Sequence, residues 1–119
     1  MTGNSFGQTF SQISVEELAQ RLSSGEQGIQ LVDVREPQEV DTASIQGFVN
    51  LPLSQFAEWS ELVLSRFNAD AETLVLCHHG IRSAQMCQWL VAQGFTNVKN
   101  IGGGIAAYSI LVDPSIPQY

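Results

Sequence analysis

Thr73-Leu74-Val75-Leu76-Cys77-His78-His79-Gly80-Ile81-Arg82-Ser83 is the stretch that decides the reading of this chain. Its first four residues form a short continuous run, β-branched at two positions, which suits a parallel strand buried on both faces. From Ser83 to Gln93 the spacing becomes helical, with Ala84, Cys87 and Val91 on one stripe and Met86 and Leu90 beside it, until Gly94 stops it. Cys77 therefore leaves a strand, and a glycine-containing loop carries the chain to a helix start. Such a loop turns backbone N–H groups inward, and the helix N-terminus adds positive partial charge, so an anion at its centre is favoured. At the head of that loop a cysteine is favoured as thiolate, the nucleophilic form. Arg82 adds a permanent cation. A free cysteine is often just a small buried apolar residue, but such a role needs neither a glycine two residues before an arginine nor a strand-to-helix loop.

Working outward, Ser14 and Glu17 make a capping-box pattern ahead of Val15, Leu18, Ala19 and Leu22, predicting an amphipathic helix that ends at Gly25. Ile29 to Val34 reads as a second apolar strand, and Pro37 fits the first turn of a short helix after it. Phe48 to Leu51 reads as a brief strand. Ser54 to Phe67 reads as a helix with Phe56, Trp59, Leu62, Val63 and Phe67 available for its buried face. Beyond the cysteine unit, Val98 to Ile101 is a last short strand, Gly102 to Gly104 a turn, and Ile105 to Leu111 a final helix. Strands alternating with helices imply an α/β fold with a parallel sheet covered on both faces. Residues 1–10, polar and without periodicity, are expected to be a flexible leader, and residues 113–119 a C-terminal tail.

At 119 residues the chain fits one domain with a real core. Two cysteines and no apolar segment at the start point to a reducing cytoplasm rather than a disulfide scaffold. Twelve acidic residues against five basic ones give a net charge of −7, which opposes contact with nucleic acid or an anionic membrane. No run approaches the length of a membrane span. Any preference for an anion must come from the loop itself.

Taken in order, Leu31-Val32-Asp33-Val34-Arg35-Glu36-Pro37, Ile45-Gln46-Gly47 with Asn50-Leu51-Pro52, the Cys77 to Ser83 loop, and Gly103-Gly104-Ile105 resemble a single rhodanese domain covering residues 11–112. The resemblance implies a five-stranded parallel sheet flanked by helices and a cysteine that carries sulfur as a persulfide. Residue by residue, the persulfide-forming cysteine falls on Cys77, and the sulfur-cradling loop falls on His78, His79, Gly80, Ile81 and Arg82. Two positions depart from the common pattern, Ser44 in place of histidine and Tyr108 in place of tryptophan, and both look structural. The ending Val112 to Tyr119 is similar to the tail of rhodanese domains fused to adenylating sulfurtransferases.

The chemistry expected of such a chain is attack by Cys77 on the sulfane sulfur of thiosulfate or a persulfide. A thiol, cyanide or a protein acceptor, with an adenylating enzyme as a possible partner, then removes the sulfur. Converging N–H groups hold the persulfide without a cofactor or a metal, and Arg82 is expected to place an anionic donor. Asp33 and Arg35 either border the site or brace the sheet edge as an ion pair. Cysteine phosphatases and arsenate reductases are the rival enzyme class. Phosphatases space cysteine and arginine as C-x5-R, whereas Cys77 and Arg82 are C-x4-R, a shorter loop suited to one sulfur atom rather than a tetrahedral phosphate. A rhodanese-type binding module without catalysis is the third reading. Adjacent histidines rarely converge on one ion, and nine residues separate the two cysteines, so a metal site is not expected. Cys87, on the apolar stripe of its helix, is expected in the core. The glycines at 102–104 lack the spacing of a nucleotide loop.

Overall fold

The computed structural model describes residues 9–119. Five parallel strands, β1 (Ser11–Ile13), β2 (Gln30–Asp33), β3 (Val49–Asn50), β4 (Thr73–Leu76) and β5 (Val98–Ile101), form one sheet in the order β1-β5-β4-β2-β3. Five helices connect them: α1 (Val15–Ser23), α2 (Pro37–Thr42), α3 (Phe56–Arg66), α4 (Ile81–Ala92) and α5 (Gly104–Leu111). A single 3-10 turn, Leu53–Gln55, leads into α3.

Every residue of β4 is buried, as its uninterrupted run requires of a strand with neighbours on both edges. The alternation of its side chains divides the core into two layers. Leu74 and Leu76 pack with Ile13, Leu18, Ile101 and Ile105 under α1 and α5. Val75 and Cys77 pack with Val32, Trp59, Val63, Met86, Cys87 and Leu90 under α3 and α4. Local signals fix the helix starts. The Ser14 hydroxyl accepts the Glu17 N–H at 3.0 Å, and Pro37 opens α2, where its missing N–H costs nothing.

Three elements differ from their sequence reading. Strand β1 carries only one buried residue in three, too little apolar pattern to stand out, and it exists because β5 pairs with it. Helix α4 begins at Ile81, two residues before its apolar stripe, so Ile81 and Arg82 belong to its first turn rather than to the loop. On α3 the buried residues are Trp59 and Val63, while Leu62 is half exposed and Phe56, 38 % exposed, lies edge-on to Trp59 and Trp89 at the margin of the stripe, because the helix packs through a narrow face. Of the expected leader, residues 1–8 lie outside the described residues, and Phe10 packs against the second core layer. Among the described residues no helix is long and apolar enough to cross a membrane.

Candidate active site

Cys77 follows the last residue of β4, at the carboxyl end of the sheet, where ligands of open α/β sheets bind. Helix α5 aligns the loop that follows. Its Ile105 N–H donates to the Cys77 carbonyl at 2.9 Å and its Ala106 N–H to the His78 carbonyl at 3.0 Å. In a trans peptide the N–H points opposite to the C=O, so tying these carbonyls to α5 turns the amides of His78 and His79 away from that helix. Gly104 permits the approach. Its φ is +62°, and a Cβ there would lie 2.5 Å from the Cys77 carbonyl oxygen.

Gly80 completes the loop with a φ of +100° as the N-cap of α4, and its N–H donates to Cys77 Sγ at 3.0 Å. The sulfur also lies 3.2 Å from the Ser83 hydroxyl, which donates to Asn100 Oδ1 at 2.5 Å. Asn100 Nδ2 in turn donates to the Gly80 carbonyl at 3.0 Å, and this fixes the orientation of its amide. A hydroxyl has one proton, so while Ser83 donates to Asn100 the hydrogen bond between serine and cysteine uses the thiol proton. Ionised sulfur draws the serine proton instead. Cys77 itself is 1 % exposed.

The remaining loop residues face outward. His79 lies tilted on His78 with ring centroids 3.9 Å apart, and Tyr119 stacks on His78 at 4.0 Å with the planes 5° apart. Desolvation, assisted by the charge of His79, holds the His78 imidazole below its ordinary value of 6.5. Ile81 is 73 % exposed at the rim. A cavity of about 170 Å3 lies between the two histidines, the start of α5 and the tail.

Asp33 and Arg35 form a fully buried ion pair with Nη2–Oδ2 of 2.7 Å, bracing the end of β2. Arg35 Nη1 also donates to the Tyr119 hydroxyl at 2.8 Å, and that hydroxyl donates to Glu39 Oε2 at 2.9 Å. Glu39 receives Arg82 as well, through Nη1 to Oε1 at 2.7 Å and Nη2 to Oε2 at 2.9 Å. The Arg82 hydrogen bonds are the main cause that holds the Glu39 carboxyl down at about 2, against the opposing effect of burial. A continuous polar chain thus runs from the buried end of β2 through the tail to the first turn of α4. Cys87 faces inward as its stripe predicts, and desolvation pushes its thiol up to about 12. Among the described residues no cluster of three or more His, Cys, Asp or Glu is arranged to hold a metal ion.

Four participants were not singled out as site residues by the sequence reading. Asn100 had only a weak sign, a polar residue between Lys99 and Ile101 in a short strand of a parallel sheet, where the structure buries it to 3 % exposure. Ser83 directly follows the loop arginine. Glu39 and Tyr119 had no local sign, since they reach the site only through the folded positions of α2 and the tail.

Residues 14–111 match the model of the rhodanese-like domain family. The chain is 49 % identical over 109 residues to the rhodanese-like/PpiC domain-containing protein 12, chloroplastic, of Arabidopsis thaliana, covering 90 % of this chain but only 36 % of that relative's length. It is 34 % identical to a sulfurtransferase of Allochromatium vinosum, with 82 % of this chain and 87 % of the relative covered. Among solved structures, a rhodanese-related protein of Thermoplasma volcanium superposes with a TM-score of 0.72 at 26 % identity, over 92 % of this chain and all of that one. With the sheet order, the cysteine-headed loop and these likenesses in agreement, the chain belongs to the rhodanese-like domain family.

Proposed function

We propose that this chain is a sulfurtransferase that carries sulfane sulfur as a persulfide on Cys77. The observation that carries this reading is the Gly80 N–H aimed at Cys77 Sγ from a loop whose flanking carbonyls are tied back to α5. The donors are fixed by the fold before any sulfur arrives, so stabilising a sulfur anion requires no reorganisation. With thiosulfate, the Cys77 thiolate attacks the outer sulfur, the S–S bond of the donor breaks, and sulfite leaves with that bond's electron pair. The product is a Cys77 persulfide anion. A thiol, cyanide or protein nucleophile then takes the terminal sulfur and returns the thiolate. That relatives include a protein named sulfurtransferase supports the same chemistry.

Mixing the protein with thiosulfate, and separately with a cysteine desulfurase supplied with cysteine, should add the mass of one sulfur atom to the intact chain. Cys77→Ser should abolish both the adduct and thiosulfate:cyanide turnover, because serine has the shape but not the soft nucleophile. Undiminished turnover in that variant would refute the assignment. The phosphatase reading is opposed by the four-residue spacing between Cys77 and Arg82 and by the engagement of Arg82 with Glu39. Hydrolysis of an aryl phosphate that disappears with Cys77→Ser would reverse this ranking.

A further inference from the structure

Arg82 stands in the first turn of α4, close enough for the charge of Cys77 to act on it, and a small anionic donor would use a cation at that place. Its guanidinium is already committed. Both terminal nitrogens bind the two oxygens of Glu39 in a fork-to-fork pair, the strongest geometry this pair of groups can adopt. Glu39 cannot easily swing away, because its oxygens also accept the Tyr119 hydroxyl at 2.9 Å and the Glu36 N–H at 3.0 Å. Donors from α4, the tail and the start of α2 therefore converge on one carboxylate. The other cations give no substitute. Arg35 is buried against Asp33, Arg21 and Lys99 pair with Glu72, and Arg66 lies at the end of α3 that leads into the start of β4, the end of that strand opposite Cys77.

We infer that Glu39 is a specificity-determining residue. By holding Arg82 it withholds positive charge from small dianions such as thiosulfate and favours sulfur delivered as a persulfide on a protein, whose binding does not depend on that cation. The inference rests on sulfur transfer through Cys77. The reaction itself is unaltered: thiolate and thiosulfate give persulfide anion and sulfite, with atoms and charge conserved and no proton or redox partner required. What Glu39 changes is the electrostatic cost of bringing a dianion into a chain of net charge −7. The lock does not open at working pH, since Glu39 stays ionised far below neutrality.

Glu39→Gln tests this directly. Its amide oxygen can still accept the Glu36 N–H, as glutamine does in capping boxes, so α2 keeps its start while the charge is removed. Calorimetric titration of thiosulfate at low ionic strength should show about tenfold tighter binding to Cys77→Ser/Glu39→Gln than to Cys77→Ser, the scale of one recovered charge-assisted hydrogen bond. Adding Arg82→Ala should erase the gain. In the active protein Glu39→Gln should lower the thiosulfate KM by a similar factor, with little change in loading from a cysteine desulfurase. Tyr119→Phe, which leaves α2 untouched and removes one donor from Glu39, should give a smaller gain in the same direction. Equal thiosulfate affinity in the two Cys77→Ser proteins, a gain that survives Arg82→Ala, or an equal change with both donors overturns the inference. If no donor loads Cys77, the sulfur-transfer reading fails, while the binding comparison still decides what Glu39 does.

Discussion

Two cysteines ten positions apart occupy opposite chemical situations, and the difference arises from what each side chain meets. Cys77 Sγ meets an amide and a hydroxyl, whereas Cys87 packs among Val32, Met86 and Leu90 with its thiol pushed up to about 12 by desolvation, and secondarily by the charge of Cys77. At pH 7 a thiol of that value is thiolate in only about one molecule in 10^5, so it neither attacks nor is attacked. Alkylation of the native protein with iodoacetamide, followed by peptide mapping, should therefore label Cys77 orders of magnitude faster than Cys87. Comparable rates would mean that the helix face has been misassigned. The nucleophile was legible in the sequence because its spacing to Gly80 and Arg82 is local. The partner of Arg82 was not, because Arg82 and Glu39, 43 positions apart, are brought together only by the completed sheet.

At the scale of elements, the junction of β4, α4 and α5 sets the geometry of the site, and Gly104 is its tightest point. A methyl group there meets the Cys77 carbonyl at 2.5 Å and also forces an L residue into positive φ. Gly104→Ala should cost at least about 1–3 kcal/mol in backbone strain alone, and more through the displaced α5 hydrogen bonds. Thermal denaturation should show the loss, and sulfur loading should fall with it. Gly25→Ala is the matching control, since its φ is +72° but nothing lies within 4 Å of its would-be Cβ. That variant should lose some stability and retain loading; equal loss of loading in both would detach the site from α5. Helix and strand identities were readable wherever the periodicity was strong, as in β4 and α1. Strand β1 was not, because its place depends on hydrogen bonds to β5 rather than on its own side chains. The start of α4 was misjudged for a related reason: Ile81 and Arg82 are helical in backbone but do not share the buried stripe.

At the scale of the whole molecule, the tail closes one side of the site, with Tyr119 joining His78, Arg35 and Glu39. Burial lowers the His78 value below 6.5, so as pH falls through 6.5 toward that lower value the unfolded chain takes up a proton that the folded one resists. This contribution to stability is intact above 6.5 and declines on acidification. Tyr119→Ala removes the stacked ring, and NMR titration of the imidazole should find His78 shifted back toward 6.5, with a shallower loss of stability on the acid side. An unmoved titration would exclude the tail as a source of the desolvation. The order of pairing in the sheet has a consequence for synthesis. Strand β1 has its partner in β5, far along the chain, and the amide of Asn100 in β5 and the N-terminus of α5 that complete the cysteine loop are made after Cys77. On a ribosome Cys77 emerges before these supports are free to pack around it. The thiol thus passes its most vulnerable interval on the nascent chain, and the folding of β5 and the start of α5 onto β4 is what gives it shelter.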